Sequence, residues 1–233
     1  MKESEFYINR ECHTVYTETC QEVIIKYIAM HYAQDRIGEV FTAIQRQYVE
    51  YLSSFRTDLG GDKNFHNGIG GTYDCIMIFS YYAVMRDVTS FEEIEKICEE
   101  VVLPTFKKLG FVDINKKIYK RLMYYVFKGA ENRCRKWPDY NMIVEPYSKT
   151  GPIKYKFTSC PVAEFAREHD LLDILPALCN VDYPSLEIMH ARLVRTTTLG
   201  KGDCCDYTIF PDKDQHLMEH EEFRDENGGR WNR

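Results

Sequence analysis

No run of this 233-residue chain is long and apolar enough to span a bilayer. The most apolar segment, Cys75 to Met85, falls well short of the ~20 residues a spanning helix needs. The opening residues Met1-Lys2-Glu3-Ser4-Glu5-Phe6 have no apolar core of the kind a secretory signal carries. The nine cysteines include no C-x-x-C pair, and their spacings match no standard zinc pattern. An odd count without a small-scaffold framework predicts reduced thiols in a cytoplasm, not disulfides. Positive charge is not in excess: 30 Lys and Arg face 36 Asp and Glu, a net charge of -6, which argues against nucleic-acid binding. Neither a Rossmann G-x-G-x-x-G nor a P-loop ending in Lys-Ser/Thr is found.

What is abundant is aromatic, with 17 Tyr and 13 Phe, which predicts aromatic-rich packing or an aromatic-lined pocket. The first 13 or so residues read as a polar arm. Helical spacing follows at Val23, Ile24, Tyr27, Ile28 and Tyr32, then at Val40, Phe41, Ile44, Tyr48, Tyr51, Leu52 and Phe55. Leu59 to Asp74 holds five glycines, a loop that needs unusual backbone angles or close approach to something. Glycine N–H groups ahead of a helix form anion nests, and without a nucleotide pattern a carboxylate is the better guest. A long turn between helices is the plain alternative. The helix expected at about 73–86 is apolar nearly all round and therefore central, with Thr72 as its cap. Asp74 in its first turn needs a partner if buried. Ser90-Phe91-Glu92-Glu93 opens a further helix by the capping-box rule, running to about Leu109 with Pro104 inside it. Another is expected at 115–136, with Ile118, Leu122, Tyr125, Val126 and Phe127 inward.

At Pro138 the pattern changes. Strands are predicted at 140–146, from Ile153, at 192–199 and at 204–210. Helices are expected from Pro161, at 171–175 and after Pro184, this last one carrying Leu186, Met189 and His190, with 177–184 as a loop. Residues 212–233 read as a loose charged tail. The expected fold class is α+β: a helical N-terminal half, 1–137, packed as one compact domain with a four-stranded antiparallel sheet and inserted helices over 138–211.

The chemistry concentrates around Phe157-Thr158-Ser159-Cys160-Pro161. A strand delivers Cys160 to the first turn of a helix, where backbone N–H groups favour a thiolate. Three readings compete. In the first, Cys160 is a nucleophile, with Asp182 or Asp74, or the imidazole of His190 or His66, activating the thiol or a water. In the second, three cysteines plus His190 or Asp182 hold zinc. In the third, the cysteines pack as small apolar groups, Asp182 caps the helix opened by Pro184, and His190 is a hydrogen-bonded core histidine.

The chain resembles the L-2-amino-thiazoline-4-carboxylate hydrolases. The likeness rests on His66-Asn67-Gly68-Ile69-Gly70-Gly71-Thr72-Tyr73-Asp74-Cys75 and on Phe157 to Ala166. It continues through Leu178-Cys179-Asn180-Val181-Asp182-Tyr183-Pro184, Arg195-Thr196-Thr197-Thr198-Leu199 and Gly202-Asp203-Cys204-Cys205-Asp206-Tyr207. Gly202 to Cys205 also resembles, more loosely, the last hairpin of vinyl-reductase-type small-ligand-binding domains. The resemblance implies hydrolytic opening of a small cyclic amidine at a C–N bond to a carbamoyl-cysteine-type product. Catalytic roles then fall to Cys160, Asp182, His190 and Cys179. Substrate contacts fall to His66, Asn67, Gly70, Gly71, Asp74, Arg195, Asp203 and Cys205. The expected partner is a small-molecule carboxylate, with neither nucleic acid nor membrane. No cofactor is expected, zinc being the alternative. A non-catalytic sensor that binds a small molecule or metal is the competing function.

Overall fold

The computed structural model describes residues 16–54, 71–135 and 140–233. The glycine-loop candidates His66, Asn67 and Gly70 lie outside the described residues. Two compact units divide between Val101 and Val102.

The first unit is helical: α1 (Glu18–His31), α2 (Ile37–Ser54), α3 (Thr72–Met85) and the start of α4 (Phe91–Lys107). Helix α3 is central because it has no polar face; Ile76, Met77, Phe79 and Tyr81 are all fully buried. Its cap is Gly71 and not Thr72. Gly71 sits at φ 74°, a left-handed conformation that suits glycine. Asp74 is buried. It accepts from the Thr17 backbone N–H at 2.8 Å and from the Thr17 hydroxyl at 3.1 Å. Thr17 in turn caps α1 by accepting from the Cys20 N–H at 3.1 Å. The partner that Asp74 needs is thus the start of another helix.

The second unit holds α5 (Lys117–Cys134), β1 (Asn141–Val144), β2 (Ile153–Ser159), α6 (Pro161–Glu168), α7 (Leu175–Asn180), α8 (Asp182–Glu187), β3 (Ala191–Val194) and β4 (Cys205–Pro211). The strands form one antiparallel sheet in the order β1-β2-β4-β3, so the molecule is α+β as expected. One face of the sheet carries Ile153, Leu193, Cys205, Tyr207 and Ile209 into a core shared with Met123, Tyr183, Leu186 and Met189.

Five further expectations are corrected here. Helix α5 turns Ile118, Leu122, Tyr125 and Val126 outward, each more than half exposed, and only Phe127 of the expected stripe packs on the core. Its buried face carries Lys120 and Glu131. Lys120 donates to the Gly151 and Lys149 carbonyls, and Glu131 accepts from the Val144 N–H at 3.2 Å. Backbone groups of the neighbouring strand and turn thus orient the helix by polar contacts that a hydrophobic stripe does not reveal.

The expected loop at 177–184 is helical, because Pro176 and Pro184 stand in first turns, where proline is tolerated. The helix holding Leu186 ends at Glu187, leaving His190 in a turn.

The strand expected to run to Leu199 stops at Val194. Beyond it, the N–H groups of Thr196 and Thr197 are taken by the Asp206 carboxylate at 2.9 and 2.8 Å, and no ladder partner is needed.

Residues 212–233 are no loose tail. A 3₁₀ turn (Gln215–Glu219) leads into a hairpin of β5 (Glu222–Arg224) and β6 (Arg230–Asn232), with Trp231 and Asn232 buried. Asp225 ties the hairpin loop. It accepts from the N–H groups of Asn227 and Gly229 and from the Trp231 indole at 2.7 Å, while Gly228 takes φ 77°.

Candidate active site

Strand β2 alternates exposed Lys154 and Lys156 with Tyr155 and Phe157 on the inner face, then ends at Cys160, the N-cap of α6. The cap has extended geometry (φ -145°, ψ 116°), and Pro161 follows in the first turn, as the sequence predicts. On β4, Cys205 and Tyr207 are two residues apart and share a face. They pair in register with Phe157 and Tyr155. The Tyr155 and Tyr207 rings stack at 4.5 Å with 12° between planes.

At the far side, the short helices α7 and α8 bring Cys179 and Asp182 to the same place. Asp182 is the first residue of α8, but its carboxylate does not serve as a cap. Its Oδ2 accepts from the Tyr207 hydroxyl at 2.9 Å and from Arg195 Nη1 at 3.3 Å. Among the described residues no donor meets Oδ1.

Arg195 follows the end of β3 and is 1% exposed. Nη1 also donates to the Cys179 carbonyl at 3.0 Å, and Nη2 to the Arg230 carbonyl at 3.4 Å. Among the described residues Nε–H meets no acceptor. The rings of Tyr183, Tyr207 and Trp231 lie 5.0, 5.9 and 5.5 Å from the guanidinium, which compensates by cation–π attraction for the water it has lost.

Asp182 differs from its partner. Crowding by neighbouring atoms raises its pKa, against the pull of Arg195 and the Tyr207 hydrogen bond, yet 38% of its side chain stays accessible. The carboxylate is therefore crowded by protein atoms and still open to solvent on one side. Cys160, Cys179, Tyr155 and Phe157 share that half-buried state.

The thiols are not activated. Burial raises the pKa of Cys160, and the amides of Val162 and Ala163 only partly oppose it, consistent with the absence of a side-chain capping hydrogen bond. Burial likewise pushes Cys179 up to about 12 and raises Cys205, although Cys205 Sγ accepts from the Leu199 N–H at 3.2 Å. The N-terminal helix position that predicts a thiolate is thus outweighed by desolvation.

The structure therefore brings together Cys160, Cys179, Asp182, Arg195 and Cys205, and adds Tyr155 and Tyr207. It does not bring His190 to them. His190 precedes β3 whereas Arg195 follows it; the imidazole is half exposed and pairs with Asp212 at 3.2 Å. Asp203 is exposed in the turn before β4. Gly71 and Asp74 belong to the first unit. Among the described residues no three His, Cys, Asp or Glu side chains are arranged to hold a metal ion. A cavity of about 500 Å³ between Leu172–Pro176 and the C-terminal hairpin contains none of these thiols or Asp182.

The second unit thus gathers one accessible carboxylate, a buried arginine and three thiols on an α+β scaffold. In sequence, residues 72–209 match the L-2-amino-thiazoline-4-carboxylic acid hydrolase family, and the chain belongs to that family. No curated protein and no solved structure matches it. No described helix is long and apolar enough to cross a membrane.

Proposed function

We propose that this protein hydrolyses the ring of a small cyclic amidine of the 2-amino-thiazoline-4-carboxylate class. Family membership supports the substrate class. The observation that carries the chemistry is the Asp182 carboxylate, held at Oδ2 by Arg195 and Tyr207 with Oδ1 unengaged.

In the reaction, Oδ1 takes a proton from water as the oxygen adds to the amidinium carbon. The resulting tetrahedral carbon bears a hydroxyl, the amino group, the ring sulfur and the ring nitrogen. Asp182 returns the proton to the ring nitrogen, the C–N bond breaks, and the amine leaves. The hydroxyl loses its proton as the carbonyl forms, and the amine ends as an ammonium. The carbamoyl group stays on sulfur, giving a carbamoyl-cysteine. A raised pKa makes Asp182 a stronger base than an ordinary aspartate. Arg195 has no exposed surface from which to anchor a substrate carboxylate, so in this reading it holds Asp182 ionised and oriented. Cys160, Cys179 and Cys205 stay protonated, which favours water over a thiolate as nucleophile.

Incubation of the protein with 2-amino-thiazoline-4-carboxylate, followed by ¹³C NMR at the amidine carbon, tests the reading. Ring opening by wild type that is lost in Asp182→Asn is the expected result. No ring opening by wild type removes it.

A further inference from the structure

The family match ends at residue 209, but the contacts that fix Arg195 do not. Three consecutive residues of β6 reach it. Asn232 N–H donates to the Arg195 carbonyl at 2.8 Å, and Asn232 Oδ1 accepts from the Arg195 N–H at 3.0 Å, so the two residues clasp each other in both directions. The same Oδ1 accepts from the Tyr183 hydroxyl at 3.1 Å. Trp231 supplies one of the rings around the guanidinium, and the Arg230 carbonyl receives Nη2. The hairpin is anchored from the other side by Asn180, whose side chain donates to the Gly228 carbonyl and accepts from the Arg230 N–H, both at 2.9 Å. Asn180 is the residue after Cys179, whose carbonyl receives Arg195 Nη1. The hairpin, Arg195 and the Cys179–Asp182 segment therefore form one closed ring of hydrogen bonds.

We propose that the C-terminal hairpin is a positioning element of the site, with Asn232 as the positioning residue that sets Arg195 and, through it, the Asp182 carboxylate. Asn232 touches no substrate in this arrangement. Its side-chain oxygen fixes the backbone of Arg195 just beyond the last ladder residue of β3, where the strand no longer does so. With that oxygen removed, the Arg195 N–H loses its acceptor, the Tyr183 hydroxyl keeps only the Arg230 carbonyl at 3.0 Å, and the guanidinium is less firmly held at Oδ2. The groups that face Asp182 are Arg195, Tyr207, Tyr155, Tyr183, Cys160 and Cys179. Of these only Arg195 carries positive charge, so its withdrawal raises the Asp182 pKa further.

The role in turnover rests on the proposed hydrolysis; the effect on Asp182 does not. Asn232→Ala and Asn232→Asp are to be compared with wild type in the full chain, with thermal unfolding and circular dichroism confirming that each folds. The ¹³C titration of the Asp182 carboxylate is read first. Its midpoint is expected to move upward in Asn232→Ala; Asn232→Asp keeps an acceptor for both donors but adds a carboxylate beside Arg195, so it is compared in kcat and not in the midpoint. An unmoved midpoint in folded Asn232→Ala overturns the proposal whether or not the protein opens any ring. If Asn232→Ala does not fold, Trp231→Phe, which keeps an aromatic ring but not the indole bond to Asp225, is to be titrated instead; an unmoved midpoint there overturns it equally. Where wild type opens the thiazoline ring, Asn232→Ala is expected to lower kcat roughly tenfold to a hundredfold with the acid limb shifted to higher pH. Recovery in Asn232→Asp distinguishes positioning from simple loss of stability.

Discussion

Asp74 in the first unit and Asp182 in the second each stand in the first turn of a helix, and the two are used in opposite ways. Asp74 directs its oxygens to Thr17, whose backbone and hydroxyl it engages, and is 6% exposed. Asp182 gives one oxygen to an arginine and a tyrosine and leaves the other unengaged among the described residues. The first acid braces two helices together. The second keeps a half-satisfied charge, a state that folding alone does not favour and that a general base requires. What separates them is the supply of donors: Thr17 offers a backbone N–H and a hydroxyl to one carboxylate, whereas both donors at Asp182 converge on the same oxygen.

The sharpest way to break this contrast is substitution at the two acids. Asp182→Asn is expected to reduce ring opening by about 10²- to 10⁴-fold, the usual contribution of a positioned acid–base group. Steady-state kinetics on the folded variant checks it, and retention of most activity assigns the base elsewhere. Asp74→Ala is expected to act on stability, by about 1–3 kcal/mol in denaturant unfolding, because it leaves the half-buried Thr17 donors without the Asp74 acceptor. A variant as stable as wild type would refute the brace.

A smaller effect sharpens the account of Asp182. Burial holds its pKa above the ordinary aspartate value of about 3.9, so the acid limb of kcat/KM should lie above that pH. Tyr207→Phe removes a hydrogen bond that lowers the pKa, so the limb should move to still higher pH; a shift downward would place the tyrosine in a different role. The smallest effect concerns the Cys160 thiol. With its thiol raised by burial, Cys160 should react with iodoacetamide at pH 7 more slowly than a free cysteine, and faster as pH rises. Fast labelling at neutral pH would restore the thiolate nucleophile.

Much of the architecture was legible along the chain. The apolar run at 73–86 marked the central helix, and the alternation from Ile153 followed by Cys160-Pro161 marked a strand handing over to a helix. Other features were hidden for identifiable reasons. Helix α5 has apolar residues on more than one side, and the choice between them is made by Lys120 and Glu131, which bind backbone groups more than ten residues away in sequence. The C-terminal hairpin was masked by its charge, although Asp225-Glu226-Asn227-Gly228-Gly229 between two short polar-apolar segments is turn chemistry. Asn232 carried no signal of its own, since an asparagine near the end of a charged stretch is commonplace.

By itself the sequence determined the α+β class, the strand–helix junction at Cys160, the family, and the stretches in which the reactive residues lie. These follow from local periodicity, turn residues and motif spacing, all readable within a few neighbours. Only the tertiary structure decided which of those residues meet. His190 and Arg195 are five positions apart, yet a four-residue strand carries them to opposite ends of the sheet. Asn232 and Arg195 are 37 positions apart and share two hydrogen bonds. The same burial decided the chemistry, because a helix terminus favours a thiolate by a local field while desolvation depends on every atom packed around it. At Cys160 the packing wins, which is why the proposed reaction is built on Asp182.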